Sequence, residues 1–356
     1  MRYKLLGKSG LRVSELVLGT MTFGEDWGWG ASQEVSRQMF DAYANAGGNF
    51  IDTANRYTNG TSERFVGDFI AADREHFVVA TKYTLMTRSG DPNAAGNQRK
   101  NMVQALEASL KRLRTDYVDL FWVHAWDFLT PVEEVMRGLD DLVRAGKVLY
   151  VGISDTPAWV VAQANTLADL RGWSRFVGLQ LRYSLADRAA ERDLLPMARA
   201  LDIGVTAWSV LGAGILTGKY RQKEGEVARG RAANWSISDH YHTLANEVVK
   251  VAGERGCSPS QVALSWVRQQ PGVILPLLGA SKLAQLEDNL ACLNVTLDES
   301  QMRHLNEVSR IELGFPHDFL ASDEIQQIVY GGTRPQIDNH RRSSAVCRRT
   351  AILNLA

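Results

Sequence analysis

The sequence is poor in cysteine and has no excess of either charge. Its three cysteines, Cys257, Cys292 and Cys347, are widely spaced and form no C-x-x-C pair. This pattern excludes a disulfide framework and a cysteine-based zinc site, and it is typical of free thiols in a reducing compartment. Forty basic and 40 acidic residues give a formal net charge of +0. The balance argues against nucleic acid or an anionic membrane as a partner, since both favour a basic surface.

Long hydrophobic runs are missing as well. The first stretch, Met1–Gly19, is interrupted by charged residues, which excludes the apolar core of a signal peptide. No apolar run approaches the ~20 residues that span a bilayer. We therefore expect a soluble cytoplasmic protein without a membrane partner; the sequence predicts neither a monomer nor a homo-oligomer.

Short apolar segments alternate with helical patterns along most of the chain. The segments are rich in Val, Leu, Ile and Phe and apolar on both faces, as in a parallel sheet covered by helices. The predicted strands are Leu16–Thr20, Asn49–Asp52, Phe77–Lys82, Val118–His124, Val148–Ser154, Phe176–Gln180, Gly204–Trp208 and Gly272–Leu278. Eight alternations favour an α/β fold of the closed (β/α)8 type, with an open doubly wound sheet as the alternative.

The intervening segments carry helical signals. Met102, Leu106, Leu110 and Leu113 recur at helical spacing. A later helix is predicted to begin with Thr130 as its N-cap and Pro131 at its first position, and to end at Gly146.

Two stretches depart from this alternation. Gly218–Asp239 is polar and glycine-rich, and is predicted to form a long loop over the mouth of the barrel. Residues 333–356 contain five arginines against one acid, Asp338, and are predicted to form a disordered basic tail after a single domain of residues 1–332.

Polar side chains end most of the predicted strands. Because the C-terminal ends of barrel strands meet at one mouth, these residues are expected to share a site. They are Asp52, Lys82, His124, Ser154, Gln180 and Trp208, with Tyr57 a few residues after the second strand.

The chemistry of this set is that of a proton donor beside a carbonyl. The phenol of Tyr57 has an ordinary pKa of about 10, so it needs help to exchange a proton at neutral pH. The ammonium of Lys82 is expected to lower that pKa, and Asp52 to keep the ammonium charged. His124 can donate a hydrogen bond to a carbonyl oxygen. None of these groups is a nucleophile beside a base, which argues against acyl transfer.

Several segments resemble the motifs of the aldo-keto reductases. In chain order, these segments are LGTMTFG (Leu18–Gly24), FIDTANRY (Phe50–Tyr57), ATKY (Ala80–Tyr83), FWVHAWD (Phe121–Asp127), GISD (Gly152–Asp155), AWSVLGAGILTGKY (Ala207–Tyr220) and LGASKLAQLEDNL (Leu278–Leu290). The resemblance implies a single TIM barrel with an N-terminal β-hairpin and an extra C-terminal helix. It also implies a catalytic tetrad of Asp52, Tyr57, Lys82 and His124.

The resemblance further implies a bound NADP(H), preferred over NAD(H), and a small-molecule carbonyl or alcohol substrate. Asp155 stands where the family usually has Asn. The implied cofactor contacts are Thr20, Met21, Asp52, Ser154, Asp155, Gln180, Trp208, Ser209, Leu211, Gly212, Gly214, Lys219, Gly279, Ser281, Lys282, Gln285, Asp288 and Asn289. The implied substrate pocket consists of Phe23, Trp27, Trp29, Tyr83 and Trp126.

Two other functions compete with the reductase. Barrels that resemble this family also serve as cofactor-binding regulatory subunits of potassium channels, but the His124 of this chain favours an enzyme. A metal-dependent barrel hydrolase or lyase would need several His and carboxylate ligands at the strand ends, where the chain offers only His124 and Asp52.

Overall fold

A closed barrel of eight parallel strands forms the centre of the structure. The computed structural model describes residues 1–219 and 239–339. Each strand pairs with its neighbour in chain order, and the last pairs with the first through Leu277 and Val17, which closes the barrel. The strands are β3 (Val17–Gly19), β4 (Phe50–Asp52), β5 (Val78–Tyr83), β6 (Val118–Val123), β7 (Val148–Ser154), β8 (Phe176–Arg182), β9 (Gly204–Trp208) and β10 (Ile274–Leu278). The predicted (β/α)8 fold is confirmed, and the open sheet is excluded.

An antiparallel hairpin precedes the barrel, as the resemblance implied. Its strands are β1 (Tyr3–Leu5) and β2 (Arg12–Ser14). Leu6 and Val13 belong to the apolar cluster that fills the barrel interior. The hairpin therefore covers the N-terminal end of the barrel, and the opposite end remains for a site.

Helices follow the strands, and those up to Val308 cover the barrel. They are α1 (Gln33–Asn45), α2 (Thr61–Ile70), α3 (Arg99–Leu113), α4 (Val132–Arg144), α5 (Ala158–Arg171), α6 (Leu194–Ala200), α7 (Asp239–Arg255), α8 (Pro259–Arg268), α9 (Leu283–Leu290), α10 (Glu299–Val308), α11 (His317–Ala321) and α12 (Asp323–Val329). The four apolar residues predicted for α3 are buried on one face of that helix.

The predicted start of α4 was wrong by one position. Pro131 is its N-cap residue, and the hydroxyl of Thr130 donates to Asp127 at 2.8 Å instead of capping the helix. Gly146 does end the helix, with a left-handed φ of 72° and its N–H bonded to the carbonyl of Val143.

The barrel interior is closely packed around one large side chain. Trp122 is fully buried there. A Cβ atom at Gly152 would lie 2.4 Å from its ring, and one at Gly178 would lie 2.8 Å from it. Only glycine on these two neighbouring strands leaves room for the indole. A second, larger apolar cluster lies between the barrel and its helices.

The chain divides into two compact units, Met1–Ser309 and a second one that begins at Arg310. The unit from Arg310 contains α11, α12 and a 3₁₀ turn at Arg334–Gln336. Most of the predicted loop (residues 220–238) and of the predicted tail (residues 340–356) lies outside the described residues. The single domain of residues 1–332 stays a prediction. Within the described ranges, no helix is long and apolar enough to cross a membrane.

Candidate active site

The alternation of side chains along the strands brings the predicted catalytic residues to one end of the barrel. Successive side chains point to opposite faces of a strand. Ala80 on β5 and Trp122 on β6 face the barrel interior, so Lys82 and His124, each two residues further on, continue the same inner columns at the C-terminal end. Asp52 is the last residue of the neighbouring strand β4 and is buried beside them.

The ammonium of Lys82 is the centre of this group. Its Nζ donates to Oδ2 of Asp52 at 2.5 Å, to the carbonyl oxygen of Thr53 at 2.8 Å and to the hydroxyl oxygen of Tyr57 at 3.0 Å. An ammonium has three N–H donors, and all three are used. Since the oxygen of Tyr57 accepts from Lys82, its own hydrogen is directed to another partner.

A strained turn carries Tyr57. It is a 3₁₀ turn in which Thr58 and Asn59 have φ values of 44° and 53°, a left-handed conformation that costs free energy outside glycine. The hydroxyl of Thr58 donates to the carbonyl of Phe23 at 2.7 Å and accepts from the N–H of Ser62 at 3.0 Å. These bonds hold the turn, and with it the phenol, in one place.

Buried hydroxyl groups that bond to one another hold the same turn against the ends of the neighbouring strands. The hydroxyl oxygen of Ser62 lies 2.8 Å from that of Thr20 and 2.9 Å from that of Thr53. Thr20 also donates to the carbonyl of Asp52 at 3.0 Å, so its hydroxyl serves the scaffold, while its neighbour Met21 is partly exposed. Sequence analysis missed the parts played by Thr53, Thr58 and Ser62; the available signal was a hydroxyl within the FIDTANRY motif and two shortly after it.

Burial changes the pKa values of these groups. Burial alone would lower the pKa of Lys82, but the neighbouring Asp52 and Tyr57 raise it, so the ammonium stays charged. Burial raises the pKa of Tyr57, and Lys82 only partly opposes this. The expectation that Lys82 lowers the pKa of Tyr57 holds for the charge itself, but desolvation is the larger effect, so the net pKa lies above its ordinary value.

His124 stands beside the phenol as a neutral imidazole. The two ring centroids are 5.9 Å apart with nearly perpendicular planes. Burial, and then the charge of Lys82, keeps the pKa of His124 well below its ordinary value. Its Nδ1 is buried without a hydrogen-bond partner among the described residues. A neutral ring at this place can donate one hydrogen bond without bringing a charge.

The ends of β7, β8 and β9 place four further predicted residues together. Nε2 of Gln180 donates to Oδ1 of Asp52 at 3.0 Å, which links β8 to the lysine group. Asp155 has a left-handed φ of 41°, and its carboxylate accepts from Nε1 of Trp208 at 3.2 Å. Ser154 is buried next to Asp155. One edge of the mouth therefore presents an amide, a hydroxyl, a carboxylate and a flat ring.

A glycine-rich turn follows β9. Ser209, Gly212 and Gly214 have φ values of 58°, 55° and 95°. A Cβ atom at Gly214 would lie 2.6 Å from Nζ of Lys219, so the ammonium rests directly on this backbone. Leu211 precedes the 3₁₀ turn, and its carbonyl accepts from the N–H of Gly214 at 2.9 Å. The turn thus carries a positively charged side chain against its glycine backbone.

The junction between β10 and α9 holds the last group of predicted residues. Gly279 and Ser281 lie between the two elements, and Lys282 is the exposed N-cap residue of α9. Oε1 of Gln285 accepts from the backbone N–H of Ser281 at 3.0 Å. Further along the helix, Asn289 is buried.

Asp288 on the same helix is already engaged. Its oxygens accept from Ser258 at 2.9 Å and from Gln261 at 2.7 Å, which ties α9 to α8. An adenine contact through Asp288 would have to share these bonds.

Two of the five predicted pocket residues belong to the core. Phe23 packs against Phe69 with ring centroids 6.2 Å apart, and Tyr83 stacks on Phe121 at 5.2 Å. Both are buried, with exposures of 1% and 0%, so neither offers a surface to a substrate. The prediction that Phe23 and Tyr83 line the pocket is therefore wrong. Both rings pack into the large apolar cluster between the barrel and its helices.

The three predicted tryptophans remain accessible. Trp27 and Trp29 pack against each other at 5.5 Å in the loop after β3, and Trp126 is partly exposed after β6. Phe128 and Leu129, 68% and 88% exposed, extend that second loop and were missed by sequence analysis. The loops around the mouth therefore expose large apolar side chains.

In the described ranges, no three His, Cys, Asp or Glu side chains are grouped so that they could hold a metal ion. What these ranges do hold is a parallel barrel whose mouth carries a tyrosine, bonded to a buried lysine–aspartate pair, beside a neutral histidine. This arrangement defines an oxidoreductase of carbonyl and alcohol groups.

The chain belongs to the aldo/keto reductase family, whose family model matches residues 15–310. Norsolorinic acid reductase of Aspergillus flavus is 38% identical over 332 residues, which cover 90% of this chain and 84% of that protein. Aryl-alcohol dehydrogenase [NADP(+)] of Phanerodontia chrysosporium is 38% identical over 342 residues, which cover 90% and 89%. The aldo-keto reductase ausK of Aspergillus calidoustus is 34% identical, with coverages of 90% and 85%. The protein is thus an enzyme that acts on small carbonyl compounds with a nicotinamide cofactor, and the channel-subunit alternative has no support.

Proposed function

We propose that this enzyme is a cytoplasmic reductase of aryl aldehydes and ketones, or a dehydrogenase of the matching alcohols, that prefers NADP(H) and uses Tyr57 as its proton donor and acceptor. The observation that carries the proposal is the set of three hydrogen bonds made by Lys82. Because Tyr57 accepts one of them, its hydrogen is free to bond a substrate oxygen at the mouth.

The residues divide the work of carbonyl reduction between them. Tyr57 gives its proton to the carbonyl oxygen, and the charged Lys82 stabilises the phenolate that remains. Asp52 keeps Lys82 charged and in place. His124, being neutral, donates a hydrogen bond that orients the carbonyl. When bound, NADPH supplies the hydride that adds to the carbonyl carbon; in alcohol oxidation the proton moves back to Tyr57.

Several features of the rim fit a nicotinamide dinucleotide. Trp208 offers a flat face for the nicotinamide ring, and Gln180, whose nitrogen is bonded to Asp52, has its oxygen left to accept from a carboxamide. The backbone at Gly214 with the ammonium of Lys219 on it suits a pyrophosphate, since a side chain at Gly214 would collide with that ammonium. Thr20, Met21, Ser154, Asp155, Ser209, Leu211 and Gly212 complete the proposed contacts of this half of the cofactor.

The preference for NADP(H) rests on the junction before α9. Lys282 stands at the N-terminus of α9, where free N–H groups and the helix dipole attract an anion. With Ser281 and Gln285 it would hold the 2′-phosphate, and Gly279, Asp288 and Asn289 would lie around the adenosine.

The accessible aromatic loops support an aryl substrate. Trp27, Trp29 and Trp126 surround the mouth with flat apolar surfaces that suit a ring beside the reacting carbonyl. The names of two relatives, an aryl-alcohol dehydrogenase and norsolorinic acid reductase, agree with such a substrate but are properties of those proteins.

The test is the loss of NADPH absorbance with a panel of aryl and alkyl aldehydes, ketones and quinones. We expect turnover, with higher kcat/KM for aryl than for alkyl compounds of equal size. A protein that binds NADPH but turns over no carbonyl compound, and oxidises no alcohol with NADP⁺, would contradict the proposal.

A further inference from the structure

Among the residues that the structure describes, Asp155 is the one carboxylate at the proposed nicotinamide end of the mouth whose charge is not balanced by an ion pair. It follows Ser154, the last residue of β7, and its left-handed φ of 41° turns it onto the rim. Its backbone N–H donates to the carbonyl of Gln180 at 3.3 Å, and its carboxylate accepts from Nε1 of Trp208 at 3.2 Å. The carboxylate is therefore held at the edge of the ring that is proposed to stack on the nicotinamide.

The other charges around it are already neutralised. Lys82 is paired with Asp52 at 2.5 Å, and the guanidinium of Arg182, 5.7 Å from the ring of Trp208, is paired with Asp187 at 2.6 Å. Within residues 1–219 and 239–339, Asp155 forms no salt bridge. His124 is neutral, since burial keeps its pKa well below the ordinary value. The nicotinamide end of the site therefore carries about one uncompensated negative charge.

The two forms of a nicotinamide cofactor differ in the charge of the ring, which is positive when oxidised and neutral when reduced. We propose that Asp155 is a specificity-determining residue that makes this enzyme bind NADP⁺ more tightly, relative to NADPH, than the same site would without the carboxylate. The inference rests on the proposed function, because it places the nicotinamide ring against Trp208.

The same charge has a consequence for the reaction. Any residue that favours bound NADP⁺ over bound NADPH moves the equilibrium between the two bound cofactors toward the oxidised form. In carbonyl reduction it stabilises the product cofactor. In alcohol oxidation it strengthens the binding of the cofactor that begins the reaction.

The size of the effect is limited by solvent. Asp155 is an exposed residue, so its interaction with a charge on the ring is screened. For a partly exposed pair of charges a few ångströms apart, we expect a change of about three- to tenfold in a dissociation constant.

The experiment compares the Kd values of NADP⁺ and NADPH by calorimetry for the full-length wild type and Asp155→Asn. The asparagine keeps an oxygen that can accept from Trp208, removes the charge and puts an amide NH2 in place of the second oxygen. We expect Kd for NADP⁺ to rise about three- to tenfold, Kd for NADPH to change less than twofold, and the difference to shrink in high salt. Asp155→Ser removes the charge in a second way and serves if Asp155→Asn does not fold.

Asp26→Asn is the matched control. Asp26 lies in the loop after β3, four strands around the barrel from β7, and its exposed carboxylate accepts from Thr61 at 3.0 Å. Removing this charge should leave the ratio of the two Kd values unchanged. Equal effects on both cofactors in Asp155→Asn, no effect, or the same change in Asp26→Asn would overturn the inference. If the wild type binds neither cofactor, the proposed function itself fails.

Discussion

Gln180 and Asp52 are joined by a hydrogen bond of 3.0 Å, from Nε2 of the amide to the carboxylate oxygen that Lys82 does not use. This bond fixes the amide with its nitrogen toward Asp52 and its oxygen away from it. A continuous chain therefore runs from Gln180 through Asp52 and Lys82 to Tyr57. A change at any member of this chain should reach the phenol.

Asp52→Asn should shift the basic limb of the pH profile of kcat/KM to lower pH. Asp52 helps to raise the pKa of both Lys82 and Tyr57. Without it the positive charge near the phenol is uncompensated, so both pKa values should fall. The measurement is carbonyl reduction between pH 6 and about pH 10. The control is Asp119→Asn: Asp119 on β6 forms a largely buried ion pair with Arg74, so its loss should lower stability without moving the profile. An unchanged limb in Asp52→Asn would show that this carboxylate only supports the structure.

Tyr57→Phe should lower kcat by about 10²–10⁴-fold and leave the Kd of the cofactor nearly unchanged. The hydroxyl acts at the reacting oxygen, so its loss affects the chemical step. Tyr83→Phe is the matched control: that hydroxyl is buried and donates to the carbonyl of Asn97 at 3.1 Å, away from the mouth. Steady-state kinetics and a cofactor titration decide between the two. If Tyr57→Phe turned over within a few-fold of the wild type, Tyr57 would not be the proton donor.

The sequence predicted the strands better than it predicted the surroundings of their ends. Apolar runs located all eight strands to within one or two residues, because burial on both faces leaves a clear pattern. The polar residues that end them met at one mouth because closure of the barrel requires it. The pattern could not show that Phe23 and Tyr83 pack into the core, because an aromatic ring near a strand end can either line a pocket or join the core.

The sequence also could not predict the local pKa values and hydrogen-bond partners. The net rise in the pKa of Tyr57 depends on how completely the phenol is desolvated, which spacing does not reveal. The third acceptor of Lys82 is the carbonyl oxygen of Thr53, a backbone atom that every residue type has. The hydroxyl of Thr130 bonds Asp127 instead of capping α4, because a nearby carboxylate competes for it.

Gly152→Ala should destabilise the barrel by about 1–3 kcal/mol. The added Cβ would lie 2.4 Å from the ring of Trp122, which is also confined by Gly178 on the next strand. Chemical denaturation measures the loss. Gly253→Ala in the exposed part of α7 is the control: its Cβ would meet no described atom within 4 Å, so this change should be neutral or stabilising by up to ~1 kcal/mol. Equal stability of the two variants would contradict the close packing of the interior.

His124 should make the protein less stable as the pH falls below about 6.5, its ordinary pKa. In the native state burial and Lys82 keep its pKa well below that value, so in this range the unfolded chain takes up a proton that the native chain does not. The free energy of unfolding then decreases with falling pH, by at most ~1.4 kcal/mol per pH unit for one proton. His124→Gln should flatten this slope relative to the wild type between about pH 6.5 and pH 5 in denaturation experiments. Parallel curves for the two proteins would show that His124 is not held neutral.

Lys282→Ala should reduce kcat/KM with NADPH about tenfold to a few hundredfold and leave kcat/KM with NADH almost unchanged. Lys282 is the exposed N-cap residue of α9, and no side chain among the described residues caps the helix, so its ammonium and the first N–H groups are both available at this end of the helix. A 2′-phosphate would meet both, whereas a 2′-hydroxyl would gain little from either. Lys250→Ala is a suitable control, because that exposed lysine lies on α7 and only approaches Glu247 at 4.0 Å. The selectivity ratio of NADPH to NADH is the quantity to compare. Only NADPH carries the 2′-phosphate, so a fall of kcat/KM with both cofactors would indicate damage to the helix. A wild-type ratio near one would contradict the proposed preference for NADP(H).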